Sequence, residues 1–246
     1  MKITIIIPTY NESENLPKIV GSVFSLPLPD LNILVVDDNS PDGTGAVAEE
    51  LAEKFDHRVH VLHRPGKMGL GSAYIQGFGL AVENGSDAAC QMDADFSHPV
   101  EKIVELVEAL QSFDIAIGSR YVRGGSLDEK WPIWRKWLSA WGNFYARTIL
   151  NLPQRDVTGG FRLWRREVLE KMPFERIQSN GYVFQVETAY VANRLGFSLK
   201  EIPIHFADRR WGKSKMSLQI QAEAAFRVWQ LLFMYRDLKP IKTINK

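Results

Sequence analysis

Short apolar runs alternate with helical periodicities through the first half of the chain. Residues 3–7 and 33–36 are apolar runs rich in β-branched residues, which is the pattern of strands buried on both faces of a sheet. Pro8 is expected to end the first of these strands. The same reasoning predicts further strands at 59–62 and 88–92, and helices at 13–26, 45–55 and 72–83. Because strands and helices alternate four times, we predict an α/β fold with a mainly parallel central sheet flanked by helices.

The second half of the chain has a different pattern. An amphipathic helix is predicted over 100–110 and a strand over 115–117. Four tryptophans then recur at helical spacing among basic residues, which predicts an aromatic and basic face: Trp131, Trp134, Trp137 and Trp141. A further amphipathic helix is predicted over 217–235. We therefore expect a main domain over residues 1–216, followed over residues 217–246 by a C-terminal amphipathic helix and a basic tail.

Charge and composition argue against several classes of protein. The 246 residues contain 30 Lys and Arg against 29 Asp and Glu, so no overall charge favours a nucleic acid as partner. The single cysteine, Cys90, lies in an apolar run and is expected to be a buried thiol in a reducing, cytoplasmic setting. No segment approaches the roughly 18 uninterrupted apolar residues that cross a bilayer. Any contact with a membrane is therefore expected to be peripheral.

Polar clusters follow three of the predicted strands. They occupy residues 8–12, 37–40 and 93–95, and ligands of parallel sheets gather beyond the carboxyl ends of the strands. Asp93 and Asp95 are two residues apart, so both carboxylates are expected to point the same way. Two such oxygen ligands suit Mg²⁺ or Mn²⁺ beside a substrate diphosphate. The alternative is a solvated pair of loop carboxylates.

Neighbouring loops carry further polar residues. Asp38 is preferred to Asp37 as a carboxylate that accepts hydrogen bonds from a nucleotide base or ribose, whereas residues 39–44 are interpreted as a turn that caps the next helix. Residues 64–72 form a basic, glycine-rich turn at the start of a helix. Such a turn can bind phosphate through backbone N–H groups, but we expect a plain turn here.

Two later segments leave alternatives open. Residues 208–215 contain four cations beside a glycine, and they form either a lid that grips a diphosphate or a solvated run of charge. Glu187 is flanked by apolar residues. Because a buried carboxylate needs a partner, Glu187 either binds a ligand or forms a salt bridge with an arginine such as Arg162.

Together these motifs resemble those of the inverting family 2 glycosyltransferases, and more closely those of the polyprenol and dolichol phosphate mannose synthases. The matching segments span nearly the whole chain in the order of the family: 8–12, 36–44, 69–74, 92–99, 118–121, 158–162 and 209–215. The resemblance implies one nucleotide-diphosphate-sugar transferase domain of the GT-A type. It also implies GDP-mannose as the donor and a polyprenyl (dolichyl-type) phosphate as the acceptor.

The resemblance further implies which residues form the site. The positions that would bind substrate are Pro8, Tyr10, Glu12, Val36, Asp38, Asp93, Ala94, Asp95, Arg120, Arg209 and Lys215. The catalytic positions among them are Asp95, with the divalent cation, and the three that hold the phosphates of donor and acceptor: Arg120, Arg209 and Lys215. The implied ligands of Mg²⁺ or Mn²⁺ are Asp93, Asp95 and Ser97, and Ser97 stands where some relatives have an amide.

The implied acceptor decides the expected mechanism. A lipid phosphate is already anionic near neutral pH, so its oxygen can attack the anomeric carbon, with inversion, without a general base. The tryptophan-rich segment and the C-terminal helix are expected to bind the cytosolic face of a membrane, with or without a membrane-anchoring protein. The alternatives are a family 2 transferase with another donor, such as glucose or N-acetylglucosamine, or another acceptor, and a non-catalytic protein that binds nucleotide sugars.

Overall fold

The strands form two sheets. The computed structural model describes residues 1–208 and 218–241. In chain order the strands are β1 (Ile3–Thr9), β2 (Leu31–Asp37), β3 (Val59–His63), β4 (Ala88–Gln91), β5 (Ile115–Ser119), β6 (Ser126–Leu127), β7 (Arg162–Arg165), β8 (Leu199–Pro203) and β9 (His205–Phe206). Seven of them form the central sheet in the order β3-β2-β1-β4-β7-β5-β8, while β6 pairs with β9 in a small second sheet.

Helices separate most of these strands. They are α1 (Leu16–Phe24), α2 (Thr44–Lys54), α3 (Leu70–Glu83), α4 (Ile103–Ala109), α5 (Ile133–Ile149), α6 (Arg166–Lys171), α7 (Gly181–Arg194) and α8 (Leu218–Met234). The predicted α/β alternation is confirmed, with boundaries that differ by a few residues. The helix predicted over 100–110 begins instead as a 3₁₀ turn, Val100–Lys102, which leads into α4. None of the helices in the described part of the chain is long and apolar enough to cross a bilayer.

The central sheet is mainly parallel, as predicted, but it contains one antiparallel strand. β7 runs antiparallel to both β4 and β5. The sequence did not predict β7 because Arg162-Leu-Trp-Arg165 has arginines at both ends in place of an apolar run. Arg162 is nevertheless fully buried, since the carbonyl groups around it satisfy its guanidinium group.

The two faces of the sheet bury different side chains of the same strands. On β1, Ile5 and Ile7 belong to the core cluster that includes residues of α1, α2 and α4, whereas Ile6 belongs to the cluster that includes residues of α3, α7 and α8. This alternation follows from the two-residue period of a strand and explains why the strands are apolar throughout. α3 lies close to β1 at Gly77, where a Cβ atom would be 2.6 Å from Ile6 Cγ2. A larger residue would push α3 away from the sheet.

β1 continues through Pro8, which was expected to end it. Pro8 pairs with Val36 of β2, and β1 extends to Thr9. Pairing between β1 and β4 stops at Ile6, so proline, which has no N–H, interrupts no ladder on that side. The extra residues carry β1 to the edge of the sheet where the polar clusters lie.

Candidate active site

The strand order creates a crevice at the carboxyl ends of β1, β2 and β4. From β1 the chain first adds β2 and β3 on one side and then β4 on the other, and ligands bind where the order reverses in this way. The loops after β1 and β2 are joined, since Thr9 accepts a hydrogen bond from the Asp38 N–H and donates one to Asp37. The predicted polar clusters therefore line one crevice.

Asp37 and Asp38 have different environments. Both oxygens of Asp37 accept hydrogen bonds within the protein, from the Thr9 hydroxyl and from the hydroxyl and N–H of Ser40. Asp37 therefore holds the two loops together. The carboxylate of Asp38 instead lies 3.0 Å from Arg64 Nη1, and it keeps some exposure to the crevice. This arrangement agrees with the preference for Asp38 as the ligand-binding residue of the pair.

Arg64 links Asp38 to the turn before α3. Its Nη2 atom donates to the Ser72 hydroxyl at 2.6 Å, and Nη1 points at the Gly69 carbonyl at 3.4 Å. Burial raises the pKa of Asp38 and outweighs the opposing effect of the Arg64 charge. The glycine-rich segment is thus a turn, as expected. The buried Arg64 holds it in place, and the sequence pattern did not identify this positioning role.

The loop after β1 supplies the remaining residues of the nucleotide end. Tyr10 is exposed and stacks beneath Lys67, whose Nζ is 4.0 Å from the ring centroid. The Glu12 carboxylate accepts a hydrogen bond from Asn15, and the Glu12 N–H donates to Thr44. Pro8 is half-buried. Val36 is fully buried in the core, so only its backbone can meet a ligand.

The turn over residues 39–44 has the structural role that was predicted for it. Asp42 accepts hydrogen bonds from the N–H and the hydroxyl of Thr44 and from the Ser13 N–H. These contacts close an Asx-type turn at the start of α2. They also tie this turn to the segment that follows β1, which completes the wall of the crevice on this side.

Asp93, Asp95 and Ser97 form an oxygen-rich group at the end of β4. One oxygen of Asp95 accepts the Ser97 N–H at 3.0 Å. The Ser97 hydroxyl is buried and makes no hydrogen bond within the described residues. An unpartnered buried hydroxyl beside two carboxylates fits a hard divalent cation. Within residues 1–208 and 218–241 no three acidic, histidine or cysteine side chains are arranged so that they could hold a metal ion, so an ion bound here would take further ligands from substrate phosphate and water.

The backbone of this loop is fixed by His98. The Asp93 N–H donates to His98 Nδ1 at 3.1 Å, so Nδ1 is the acceptor nitrogen of the ring. The ring stacks on Phe161, with centroids 5.0 Å apart. Phe96 has φ of 60°, a left-handed conformation that is rare for a bulky residue. Strain therefore accompanies the conformation that brings Asp93 and Asp95 to the crevice. Ala94 between them is buried.

Tyr74 orients the Asp93 side chain through a hydrogen bond. Its hydroxyl, on α3, donates to Asp93 Oδ1 at 3.2 Å. Burial and the nearby Asp93 charge raise the pKa of Tyr74 well above its usual range. The phenol therefore stays protonated and can only donate to the carboxylate. The sequence motif contained Tyr74, but nothing in its spacing predicted this contact.

Arg120 is held by Asp156 through a bidentate contact. Nε and Nη2 of Arg120 lie 2.7 Å from the two oxygens of Asp156, and Nη2 also donates to Thr158. Burial lowers the pKa of Arg120, but the charge of Asp156 outweighs it and the net pKa is raised. Arg120 is therefore a permanent cation, and Nη1 takes no part in these contacts.

Glu187 does not form the salt bridge with Arg162 that was one of its two predicted roles. Burial lowers the pKa of Arg162 to about 9, and its guanidinium donates to the carbonyls of Val157, Gly159 and Gln185. Glu187 instead accepts hydrogen bonds from the Tyr235 hydroxyl and the Ser179 N–H. The alternative of a pair with Arg162 is wrong because backbone carbonyls, which have no sequence signature, satisfy the arginine, whereas the alternative of a ligand-binding role stays a prediction.

Two of the predicted catalytic cations, Arg209 and Lys215, lie outside the described residues. Asp208, which precedes them, accepts hydrogen bonds from the Trp131 indole and from Arg135. Trp131 is consequently buried and precedes α5, so it does not belong to the exposed aromatic face that was predicted for it. Asp208 thus lies beside the amino end of α5.

The fold and this site define a glycosyltransferase of the GT-A type. A family model described as glycosyl transferase family 2 matches residues 4–172, and the chain belongs to this family. A polyprenol monophosphomannose synthase from Mycolicibacterium smegmatis is 49% identical over 91% of this chain and 84% of the relative. An undecaprenyl-phosphate mannosyltransferase from Micrococcus luteus is 44% identical over 97% and 98%.

Solved structures share the fold at low sequence identity. A glucosyl-3-phosphoglycerate synthase from Mycobacterium tuberculosis, crystallised with Mn²⁺, UDP and glucosyl-3-phosphoglycerate, has a TM-score of 0.64 at 18% identity and covers 98% of this chain and 81% of that chain. A mannosyltransferase from Pyrobaculum calidifontis, in complex with GDP-Man and Mn²⁺, has a TM-score of 0.62 at 18% identity, with 98% and 66% coverage. Both confirm the predicted fold class.

Replacing Asp156 tests the Arg120 clamp. Asp156→Asn leaves a buried guanidinium without its counter-charge, so the free energy of unfolding at pH 7 should fall by about 3–5 kcal/mol. Arg120 lowers the pKa of Asp156 below its ordinary 3.8 although burial opposes this. The stabilisation is therefore complete above 3.8 and lost only as pH falls further.

Urea denaturation of the wild type and of Asp156→Asn at pH 7 and pH 5 measures the free energy of unfolding. The difference in free energy between the two proteins should be the same at both pH values. A difference that shrinks between pH 7 and pH 5 would show that Arg120 does not hold Asp156 ionised.

Proposed function

We propose that this glycosyltransferase moves mannose from GDP-mannose to a polyprenyl phosphate, with inversion, and releases GDP. The names of the two curated relatives support mannose transfer and a polyprenyl phosphate acceptor. The observation that carries the proposal is the arrangement of Asp38 and the Asp93–Asp95 pair along one crevice. It provides one carboxylate for a nucleoside and an oxygen-rich group for a diphosphate.

Asp38 is the proposed contact of the guanine base. Guanine presents a ring N–H and an amino group side by side, and a carboxylate that accepts both discriminates it from bases without this pair of donors. Arg64 fixes the position of the Asp38 carboxylate. The exposed Tyr10 and the partly buried Glu12 supply the surface on which the nucleoside lies, with the backbone of Pro8 and Val36 beneath it.

Asp93, Asp95 and Ser97 are the proposed ligands of Mg²⁺ or Mn²⁺, with Ala94 beside the diphosphate. A divalent cation held there would neutralise negative charge on the departing nucleotide diphosphate. Tyr74 and the Ser97 N–H hold the two carboxylates in place before the donor binds. This preorganisation lowers the cost of assembling the charged site.

The acceptor end requires cations and no general base. The phosphate of a polyprenyl phosphate is an anionic nucleophile, and it must approach the anomeric carbon opposite a second, departing phosphate group. Arg120 is the described residue suited to reduce their repulsion, because Asp156 keeps it charged and leaves Nη1 unused. Arg209 and Lys215 are proposed for the same task.

The exposed faces of α5 and α8 are the proposed contact with a lipid surface at the cytosolic side. Large aromatic and aliphatic side chains are exposed there: Ile133, Trp134, Trp137, Trp141, Phe144, Phe226, Trp229 and Phe233. The Trp229 indole donates to the Tyr145 hydroxyl, which donates to the Ala225 carbonyl, so the two helices form one surface. Tryptophan and basic residues favour the interfacial zone of a bilayer.

Neutralising Asp95 tests the proposed reaction. Transfer of label from GDP-mannose to a short polyprenyl phosphate is measured with Mn²⁺, with Mg²⁺ and with a chelator. Asp95→Asn should lower the rate by about 100-fold or more, because charge on the leaving group is no longer balanced. Asp30→Asn is the control. It changes an exposed aspartate that directly precedes β2, away from the carboxyl ends of the strands, and its transfer rate should equal that of the wild type.

Other outcomes identify the alternatives. Equal transfer from UDP-glucose or UDP-N-acetylglucosamine, or to an unphosphorylated polyprenol, would contradict the proposed substrates. Unchanged activity in Asp95→Asn would contradict the role of the carboxylates, and binding of the nucleotide sugar without any transfer would favour the non-catalytic alternative.

Removing exposed aromatic side chains tests the lipid surface. The triple variant Trp134→Ser, Trp137→Ser and Phe233→Ser should sediment with anionic vesicles at least about tenfold less than the wild type, since each side chain contributes roughly 1.5–3 kcal/mol when buried. A variant with Phe at both tryptophan positions keeps the aromatic face and should still sediment. Equal sedimentation of the serine variant would refute the assignment of this face.

A further inference from the structure

Glu187 is a buried carboxylate that the proposed reaction does not use. It lies on α7 and is fully buried. Its Oε1 accepts the Tyr235 hydroxyl at 2.6 Å and its Oε2 accepts the Ser179 N–H at 2.9 Å. Both donors are neutral, so the carboxylate depends on these bonds to offset its loss of hydration. Glu187 therefore fastens the residue that follows α8 to the segment before α7.

The segment before α7 lies directly on the turn that begins α3. A Cβ atom on Gly69 would be 3.0 Å from Asn180 Oδ1, and one on Gly71 would be 2.9 Å from the Ser179 carbonyl oxygen. The contact is so close that only glycine fits at both positions. Residues 178–180 therefore cannot move toward the 69–72 turn unless the turn also moves, and movement away from it removes packing from the turn.

This turn positions both ends of the donor site. On one side, Arg64 donates to Ser72 and pairs with Asp38. On the other, the Tyr74 hydroxyl donates to Asp93. The Tyr74 ring stacks on Phe184 of α7, with centroids 6.2 Å apart and planes within 9°. A displaced turn would thus disturb the proposed contacts of base and diphosphate together.

α8 holds the same segment at a second point. Arg227 lies within 3.3 Å of Gln178 Oε1 and 3.4 Å of the Ser179 hydroxyl. Its neighbours Phe226 and Trp229 are exposed on the outer face of the helix. One helix thus presents aromatic side chains outward and fixes residues 178–179 on its inner side.

We propose that Tyr235 and Glu187 are positioning residues that couple α8 to the donor site. Seating of α8 on a lipid surface stabilises residues 178–180 and, through them, the 69–72 turn. The donor nucleotide consequently binds more tightly to the lipid-bound protein than to the free protein. The identities of nucleotide and lipid rest on the proposed function, whereas the contacts from α8 to the turn do not.

Hydrogen–deuterium exchange of the full chain tests the coupling, with and without vesicles of phosphatidylcholine and phosphatidylglycerol. In the wild type, vesicles should slow exchange of residues 69–74. Tyr235→Phe removes the hydroxyl and should speed this exchange about fivefold or more, reduce its response to vesicles and weaken GDP binding with Mn²⁺ by a similar factor. Sedimentation with the vesicles should not change.

Two control variants separate coupling from general destabilisation. Tyr190→Phe removes a hydroxyl from a ring that packs on Tyr235 and should behave as the wild type. Val23→Ala weakens the core on the opposite face of the sheet and should lower the melting temperature without altering exchange at residues 69–74.

The coupling is refuted if Tyr235→Phe leaves the exchange of residues 69–74 unchanged, or if Val23→Ala changes it as much. The coupling is also refuted if the wild type binds GDP and Tyr235→Phe speeds the exchange of residues 69–74 but binds GDP with the same affinity as the wild type. Failure of the wild type to bind GDP would instead contradict the proposed donor, and the exchange measurements, made without nucleotide, would still decide the coupling.

Discussion

Several carboxylates are buried near the carboxyl edge of the sheet, and the cost of removing them from water is the constraint on which the rest of the structure depends. Several have partners within the fold: Asp37 accepts hydrogen bonds from loop hydroxyls and an N–H, Asp38 pairs with Arg64, and Asp156 pairs with Arg120. The Asp93–Asp95 pair sits beside an unpartnered buried hydroxyl. Removal of these groups from water is costly without a compensating charge. The buried Ser97 hydroxyl, which has no hydrogen-bond partner within the described residues, is the feature here that fits a divalent cation.

The same constraint links distant parts of the molecule. Arg64 and Tyr74, which hold the carboxylates at the two ends of the crevice, both depend on α3 and its first turn. That turn contacts the segment before α7, and α8 holds this segment through Arg227 and Tyr235. The outer faces of α5 and α8 carry the exposed aromatic residues. Packed contacts thus connect the exposed aromatic face of α8 with the crevice at the carboxyl ends of the strands.

Much of this architecture could be predicted from the sequence because local patterns determine it. The apolar runs of β1, β2 and β4 and the polar residues after them placed Asp38 and the Asp93–Asp95 pair at one edge. Contacts between residues distant in the sequence could not be predicted. β7 was missed because its arginine is satisfied by carbonyls, the partner of Glu187 is a tyrosine 48 residues away, and Trp131 turns inward to meet Asp208. None of these contacts follows from periodicity or spacing.

The central claim, that the carboxylates at the end of β4 bind the donor diphosphate through a divalent cation, is tested most directly by calorimetric titration. GDP is titrated into protein stripped of metal ions, with and without Mn²⁺. GDP should bind at least about tenfold more tightly when Mn²⁺ is present, since the cation offsets the repulsion between carboxylates and diphosphate. Equal affinity in the presence and absence of Mn²⁺ would contradict it.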